Sequence, residues 1–175
     1  SYLQANLELI ETVDKIPLDM YDPNWKIYTK SEDLPAVKVG SKAVIRQALL
    51  SNGAIVAGTV ERSVLSPGVV VHPLARVVNS VLLNNVEVRP GAIVENCIID
   101  KKTVVGENAM VGFGTDLTPN KDNPGLLSSG ITVLGKHLKV PKNMVIGRNC
   151  RIFATADIAK QPDNIVPSGS TRKRV

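Results

Sequence analysis

The chain has 175 residues, room for one domain with a sizeable core. Hydrophobic residues make up 43% and aromatics only 3%, which suits a core of Val, Ile, Leu and Ala and argues against base-stacking platforms for nucleic acid. The formal charge is +5, but Arg172, Lys173 and Arg174 crowd the last positions, so a solvated tail outweighs anion or nucleic-acid binding there.

Residues 1–16, SYLQANLELIETVDKI, read as an amphipathic helix. Leu3, Leu7, Ile10 and Val13 form one apolar stripe, while Gln4, Glu8, Glu11 and Thr12 face elsewhere. The helix starts at the first residue with no cap before it, as though cut from something longer. Residues 17–38 read as a linker. They hold Pro17, Asp22-Pro23 and Pro35, and Trp25, Ile27 and Tyr28 alternate with polar residues as in an extended segment.

From Val39 a repeat begins irregularly, and from Val60 to Val111 it becomes regular at seventeen residues. Val71, Val88 and Val105 fall in one column, and Ala75, Ala92 and Ala109 in another. Val60, Val77, Val94 and Val111 make a third, and Leu65, Leu82 and Ile99 a fourth. Within each unit aliphatic residues recur at steps of six, six and five, as in Leu65, Val71, Val77 and Leu82. Corners between them carry Ser66-Pro67-Gly68, Asn84-Asn85, Pro90-Gly91, Asp100-Lys101-Lys102 and Gly106-Glu107-Asn108. This pattern predicts short strands with alternate side chains inward, stacked as a solenoid. A helix fits poorly, because Val and Ile dominate and Gly or Pro interrupts every few residues. One coil cannot bury enough apolar surface to stand alone, so neighbouring coils must support one another.

Residues 112–130, rich in Gly and Pro, break the repeat and read as a long loop thrown out from the solenoid, a place where function often sits. Strict six-residue steps then resume at Leu134, Val140, Ile146, Ile152 and Ile158, with Leu138, Met144, Cys150 and Ala156 as companions. The solenoid is therefore assigned to 39–160, and 161–175 to a polar, basic tail with a disordered end. Cys97 and Cys150 lie inside repeats, which predicts packed free thiols in a reducing compartment. No signal-peptide pattern and no apolar run long enough to span a bilayer is visible, so a cytoplasmic location is expected, with neither membrane nor nucleic acid as partner.

The opening SYLQANLELI, the segment MYDPNWKIYTKSEDLPAVKV and the VLLNNVEV and CIIDKK repeats resemble the C-terminal part of glucose-1-phosphate adenylyltransferase, also called ADP-glucose pyrophosphorylase. The segment from Trp25 to Lys38 is the most specific; Pro35 is kept, and Ala36 stands where the family usually has a second proline. The resemblance implies a mainly β fold, a left-handed parallel β-helix of the hexapeptide-repeat type, with the handedness coming from the resemblance alone. It implies that residues 1–16 are the final helix of a nucleotidyltransferase domain. That domain would bind ATP with a Gly-rich loop and magnesium with acidic residues, and would form ADP-glucose and pyrophosphate from ATP and glucose 1-phosphate in glycogen or starch synthesis. No Gly-rich phosphate loop opening a helix is present here, so this chain alone is expected to be inactive, with no catalytic residue, metal or cofactor of its own. The implied partners are its own catalytic domain, further copies in a tetramer assembled through the β-helix, and a phosphorylated metabolite as allosteric effector.

The stretch SGITVLGKHLKVPKNMVIG, Ser129 to Gly147, resembles the region where plant-type members carry an effector-binding lysine, and Lys136 falls on that position. Ser128 stands where those members often have another lysine. A lysine suits phosphate as a flexible point charge. The plain alternative is a solvated lysine among Lys139 and Lys142 that keeps a strand edge from aggregating. Val70, Val78 and Leu83 are outward apolar residues open to subunit contact.

Two rival readings use the same fold. A hexapeptide-repeat acyltransferase would need a histidine base, and only His72 and His137 are available, both at outward positions expected to be bystanders. A zinc solenoid of the carbonic-anhydrase type needs three histidines and has two. A pure assembly scaffold with no ligand differs from the regulatory reading only in whether Lys136 and the 112–130 loop bind anything.

Overall fold

The computed structural model describes residues 1–11, 22–26, 28, 32–154 and 156–173. Its dominant feature is a three-sided parallel β-solenoid. The first face stacks β1 (Lys38–Val39), β3 (Ile55–Val56), β5 (Val70–Val71), β8 (Glu87–Val88), β11 (Val104–Val105) and β14 (Lys139–Val140). Two long strands, β2 (Val44–Leu50) and β4 (Thr59–Leu65), bend at Gln47 and Arg62, both with positive φ, and so belong to two faces at once. Their first halves begin the second face, continued by β6 (Arg76–Val78), β9 (Ile93–Glu95), β12 (Met110–Val111), β15 (Val145–Ile146) and β17 (Ile165–Val166). Their second halves begin the third face, continued by β7 (Val81–Leu82), β10 (Cys97–Ile99), β13 (Thr132–Leu134), β16 (Arg151–Ile152) and β18 (Thr171–Arg172).

The predicted columns are the interior. Val71, Val88 and Val105 are fully buried in register on β5, β8 and β11, and Val60, Val77, Val94 and Val111 do the same on the second face. Leu65, Leu82, Ile99, Leu134 and Ile152 line the third, and Ala75, Ala92 and Ala109 fill the approach to the second. The strands are short because the chain turns every five or six residues. Those turns need left-handed backbone, and asparagine provides seven of the thirteen non-glycine residues with positive φ among the described residues, from Asn79 to Asn164.

The five-residue step falls at the corner between the second and third faces, one residue shorter than the others. A buried polar column occupies it. Ser63 Oγ donates to Glu61 O at 2.7 Å and accepts from Ser80 N at 3.1 Å. Ser80 Oγ repeats this, donating to Val78 O at 2.7 Å and accepting from Cys97 N at 3.0 Å. Cys97 Sγ donates to Glu95 O, Thr132 Oγ1 accepts from Cys150 N at 3.2 Å, and Cys150 Sγ donates to Pro167 O at 3.3 Å. Ser63 and Ser80 each donate to a carbonyl two residues back and accept from an amide one coil on. Thr132 accepts from an amide one coil on while donating to Gly147 O, and the cysteines donate to carbonyls, so the corner buries no orphaned amide at Ser80, Cys97 or Cys150. Both cysteines are free and buried, as expected. They share one column with Thr132 between them, two rungs of about 4.8 Å apart, too far for a disulfide.

The first element, α1 (Tyr2–Glu8), is shorter than the sequence suggested. Ser1 caps it, its hydroxyl accepting from Gln4 N at 3.2 Å. Past Glu8 the bonds tighten to three-residue spacing, with Leu9 N on Asn6 O and Glu11 N on Glu8 O, as β-branched Ile10 approaches. Residues 12–16 lie outside the described residues. Leu3 and Leu7 pack α1 onto the third face, against Val64, Val81, Leu49, Leu83, Ile98 and Ile131. Leu83 is therefore covered from within this chain, while Val70 and Val78 stay half-exposed. Of the linker, Asp22–Trp25 is a turn closed by Asn24 N on Asp22 Oδ1 at 2.8 Å, not an extended run, and Ile27 lies outside the described residues.

Two further expectations change. The segment 112–130 is not thrown outward; it folds back along the second-to-third corner, as described below. The region 161–173 is not a plain tail: a 3-10 turn at Pro162–Asn164 leads into β17 and β18, a seventh coil with Val166 fully buried. Residues 174 and 175 lie outside the described residues.

Val88→Asp should abolish cooperative melting, since an unpaired charge in a dry column costs several kcal/mol, whereas Arg89→Ala, which loses only an exposed contact to Glu87, should cost under about 1 kcal/mol. Equal melting temperatures for the two variants would misplace the column. In the polar column, Ser80→Ala should cost about 1–3 kcal/mol by orphaning the buried Cys97 amide, and Ser80→Cys should recover part of that loss in urea unfolding. Burial pushes the Cys97 and Cys150 thiols above their ordinary range. The folded chain keeps them neutral while the unfolded chain ionises them above about pH 8.5, so stability falls as pH rises past that value. Cys97→Ser should flatten this alkaline loss in urea midpoints measured at pH 8 and pH 10.

Candidate functional site

The corner between the third and first faces carries the candidate site. β11 pairs with β14 so that Val104 faces Lys139, which sets Lys101 against Lys136 and Lys102 against His137. His137 N donates to Lys101 O at 2.9 Å and locks this register. Adjacent rungs lie about 4.8 Å apart, so three lysine stems leave one edge of the solenoid within a few ångströms. All four side chains are exposed, and Lys101, Lys102 and Lys136 form no ion pair among the described residues. The nearby Asp100 carboxylate accepts from Lys101 N at 2.7 Å.

Thr103 positions the corner from beneath. Its fully buried hydroxyl donates to Gly135 O at 2.8 Å and accepts from Leu138 N at 3.3 Å, gripping the turn on both sides of Lys136. His137 sits at φ 59°, the left-handed position this corner demands. One rung further along lies a cavity of about 350 Å³, walled by His137, Lys139, Asp157 and the alanines 154, 156 and 159. Asp157 pairs with Lys160 at 2.9 Å, and that hydrogen bond holds its carboxyl below the usual range. The corner offers clustered ammonium groups, suited to holding an anion by charge rather than by directional bonding.

Of the sequence candidates, Lys136 lies at this corner, with Lys139 and Lys142 on the adjoining first face and turn. Neither Lys101 nor Thr103 was singled out in the sequence, although the repeat contains the signal. The coil between Val104 and Lys139 is 35 residues long because of the insertion, and the same offset carries Lys101 to Lys136. His72 is half-exposed rather than fully outward: its Nε2 lies 2.7 Å from Glu87 Oε1 on the outer first face, and Arg89 holds the other carboxylate oxygen at 3.2 Å. His137 is exposed and separate from that pair. Among the described residues no group of three or more His, Cys, Asp or Glu could hold a metal ion, and no helix is long and apolar enough to cross a membrane.

A three-sided coil with strands two or three residues long and small or aliphatic inward columns defines the hexapeptide-repeat solenoids. The chain belongs to the GlmU-like, C-terminal hexapeptide family, whose model matches residues 34–134. It is 45% identical over 172 residues to a glucose-1-phosphate adenylyltransferase of Thermomicrobium roseum, covering 98% of this chain and 40% of that protein. A glucose-1-phosphate adenylyltransferase of Acetivibrio thermocellus is 34% identical over 159 residues, covering 90% of this chain and 37% of its own length. The chain thus spans about two fifths of the length of these curated relatives. The resemblance drawn from the sequence is matched by these relatives. Among solved structures, one assigned as an acetyltransferase from Desulfovibrio desulfuricans G20 superposes with a TM-score of 0.53 at 15% identity. It covers 81% of this chain and 27% of that one, a likeness of fold alone.

Proposed function

We propose that this chain is the assembly and allosteric-regulatory part of a glucose-1-phosphate adenylyltransferase, and that the corner around Lys136 holds the phosphate of a metabolite effector. The observation that carries this reading is the stacking of Lys136 on Lys101, two unpaired ammonium groups from adjacent coils, fixed from below by Thr103. The 45% identity to one adenylyltransferase across 98% of the chain supports the parent activity. In this reading, catalysis belongs to a domain outside this sequence, with its own ATP and magnesium sites, and the chain supplies subunit contacts and an effector site. Half-exposed Ile93, Met110 and Val145, with Ile165, form an outward apolar ladder on the second face that supports a role in assembly.

The acyltransferase alternative gains nothing at His72, whose ring is held by a carboxylate that Arg89 also holds.

In the full-length enzyme carrying this domain, Lys136→Ala should raise the effector concentration for half-activation about ten- to a hundredfold, the loss of one charge-assisted phosphate contact. The rate without effector should stay unchanged. Inorganic phosphate titrated into this chain should shift the amide resonances of residues 101, 102, 136 and 137, and less so at high salt. Full activation of the Lys136→Ala enzyme across a panel of sugar phosphates and phosphorylated acids would remove the assigned role.

A further inference from the structure

The segment 112–130 leaves the solenoid after β12 and returns at β13, yet its middle is among the most tightly bound parts of the chain. Asn120 is completely buried. Its Nδ2 donates to Asn149 O at 2.9 Å and Ser170 O at 3.2 Å. Its Oδ1 accepts from Asp122 N, Asn123 N and Thr171 Oγ1, each at 3.0–3.1 Å. Asn149, also completely buried, answers from the solenoid side. Its Nδ2 donates to Leu117 O and Thr118 O, and its Oδ1 accepts from Gly130 N at 2.7 Å. Lys121 N donates to Gly169 O at 2.9 Å, and Arg148 Nε donates to Gly114 O.

We propose that this segment is a clasp that ties the seventh coil to the fifth across the sixth, so that coils five to seven open and close as one unit. A solenoid coil ordinarily touches only its neighbours, and each opens nearly on its own. The seventh coil has the least pairing, with two-residue strands on the second and third faces and no first-face strand among the described residues. Asn120 supplies the missing restraint through bonds spanning 29, 50 and 51 residues. Gly169 fits the same design. At φ 72° it lies against the carbonyls of Thr118 and Pro119, where a Cβ would drive the clasp off. Holding the seventh coil also fixes the approach to it, residues 154 and 156–159, which walls the cavity beside His137 and Lys139. The clasp therefore sets the shape of that cavity from the far corner of the solenoid. This inference stands whether or not Lys136 binds an effector.

Amide hydrogen exchange read by mass spectrometry on this chain tests it. In Asn120→Ala, residues 156–172 should exchange at least about tenfold faster while residues 54–111 keep their protection. Thr171→Val removes only the hydroxyl bond to Asn120 and should give a smaller rise confined to the same residues. Unchanged exchange of 156–172 in both variants would overturn the clasp, as would a rise spread equally over 54–111. If Asn120→Ala does not fold, Thr171→Val alone decides between the same outcomes.

Discussion

Parallel pairing in register between successive coils is the constraint on which everything else rests. With rungs about 4.8 Å apart, a side chain on one coil sits directly on its counterpart in the next, so similar residues recur down the central coils, and larger ones, Met144 after Ala109 and Leu138 after Thr103, enter only past the insertion. That is why valine follows valine at positions 71, 88 and 105, and alanine follows alanine at 75, 92 and 109.

The same spacing decides which polar groups can be buried. A corner one residue short cannot complete its own backbone bonds, and only a short side chain with a donor fits there. Ser63, Ser80 and Cys97 fill these short corners, each giving its hydroxyl or thiol to the carbonyl two residues back, and Thr132 and Cys150 continue the column past the insertion with bonds to Gly147 O and Pro167 O. The cysteines are structural members of a hydroxyl column, which is why they are buried, protonated and kept apart.

The columns were readable because period is a property of sequence alone. Val71, Val88 and Val105 announce their interior position without any knowledge of the fold. The seventh coil was hidden for the opposite reason. Its strand falls twenty residues after the one it pairs with, Val145 facing Ile165, because a polar 3-10 turn after buried Ile158 lengthens the next step, to Val166, from six residues to eight. The end of α1 depends on packing and a local tightening of bonds that no stripe of leucines encodes. The clasp was illegible because Asn120 gains its partners only when residues 149, 170 and 171 come round the solenoid, and a Gly- and Pro-rich stretch reads as a loop whether bound or free. Lys136 was marked by family likeness; its companion Lys101 needed only the insertion to be subtracted from the period.

With the inward positions committed to packing, the outward corners are where such a chain can vary its chemistry, and charge order there is informative. On the second face, Arg46, Glu61, Arg76 and Glu95 alternate in sign and pair at 3.1–3.5 Å, the arrangement that stacked charges adopt when nothing else is asked of them. At the Lys136 corner the order is lysine on lysine. Lysines on adjacent rungs bring two like charges to one edge of the solenoid, a repulsion that water and salt reduce. A corner with a purely structural role would be relieved by exchanging either lysine for glutamate. Under the proposed function, an anion held between Lys101 and Lys136 would turn that repulsion into attraction toward both, which is how stacked like charges would add to the affinity for a phosphate.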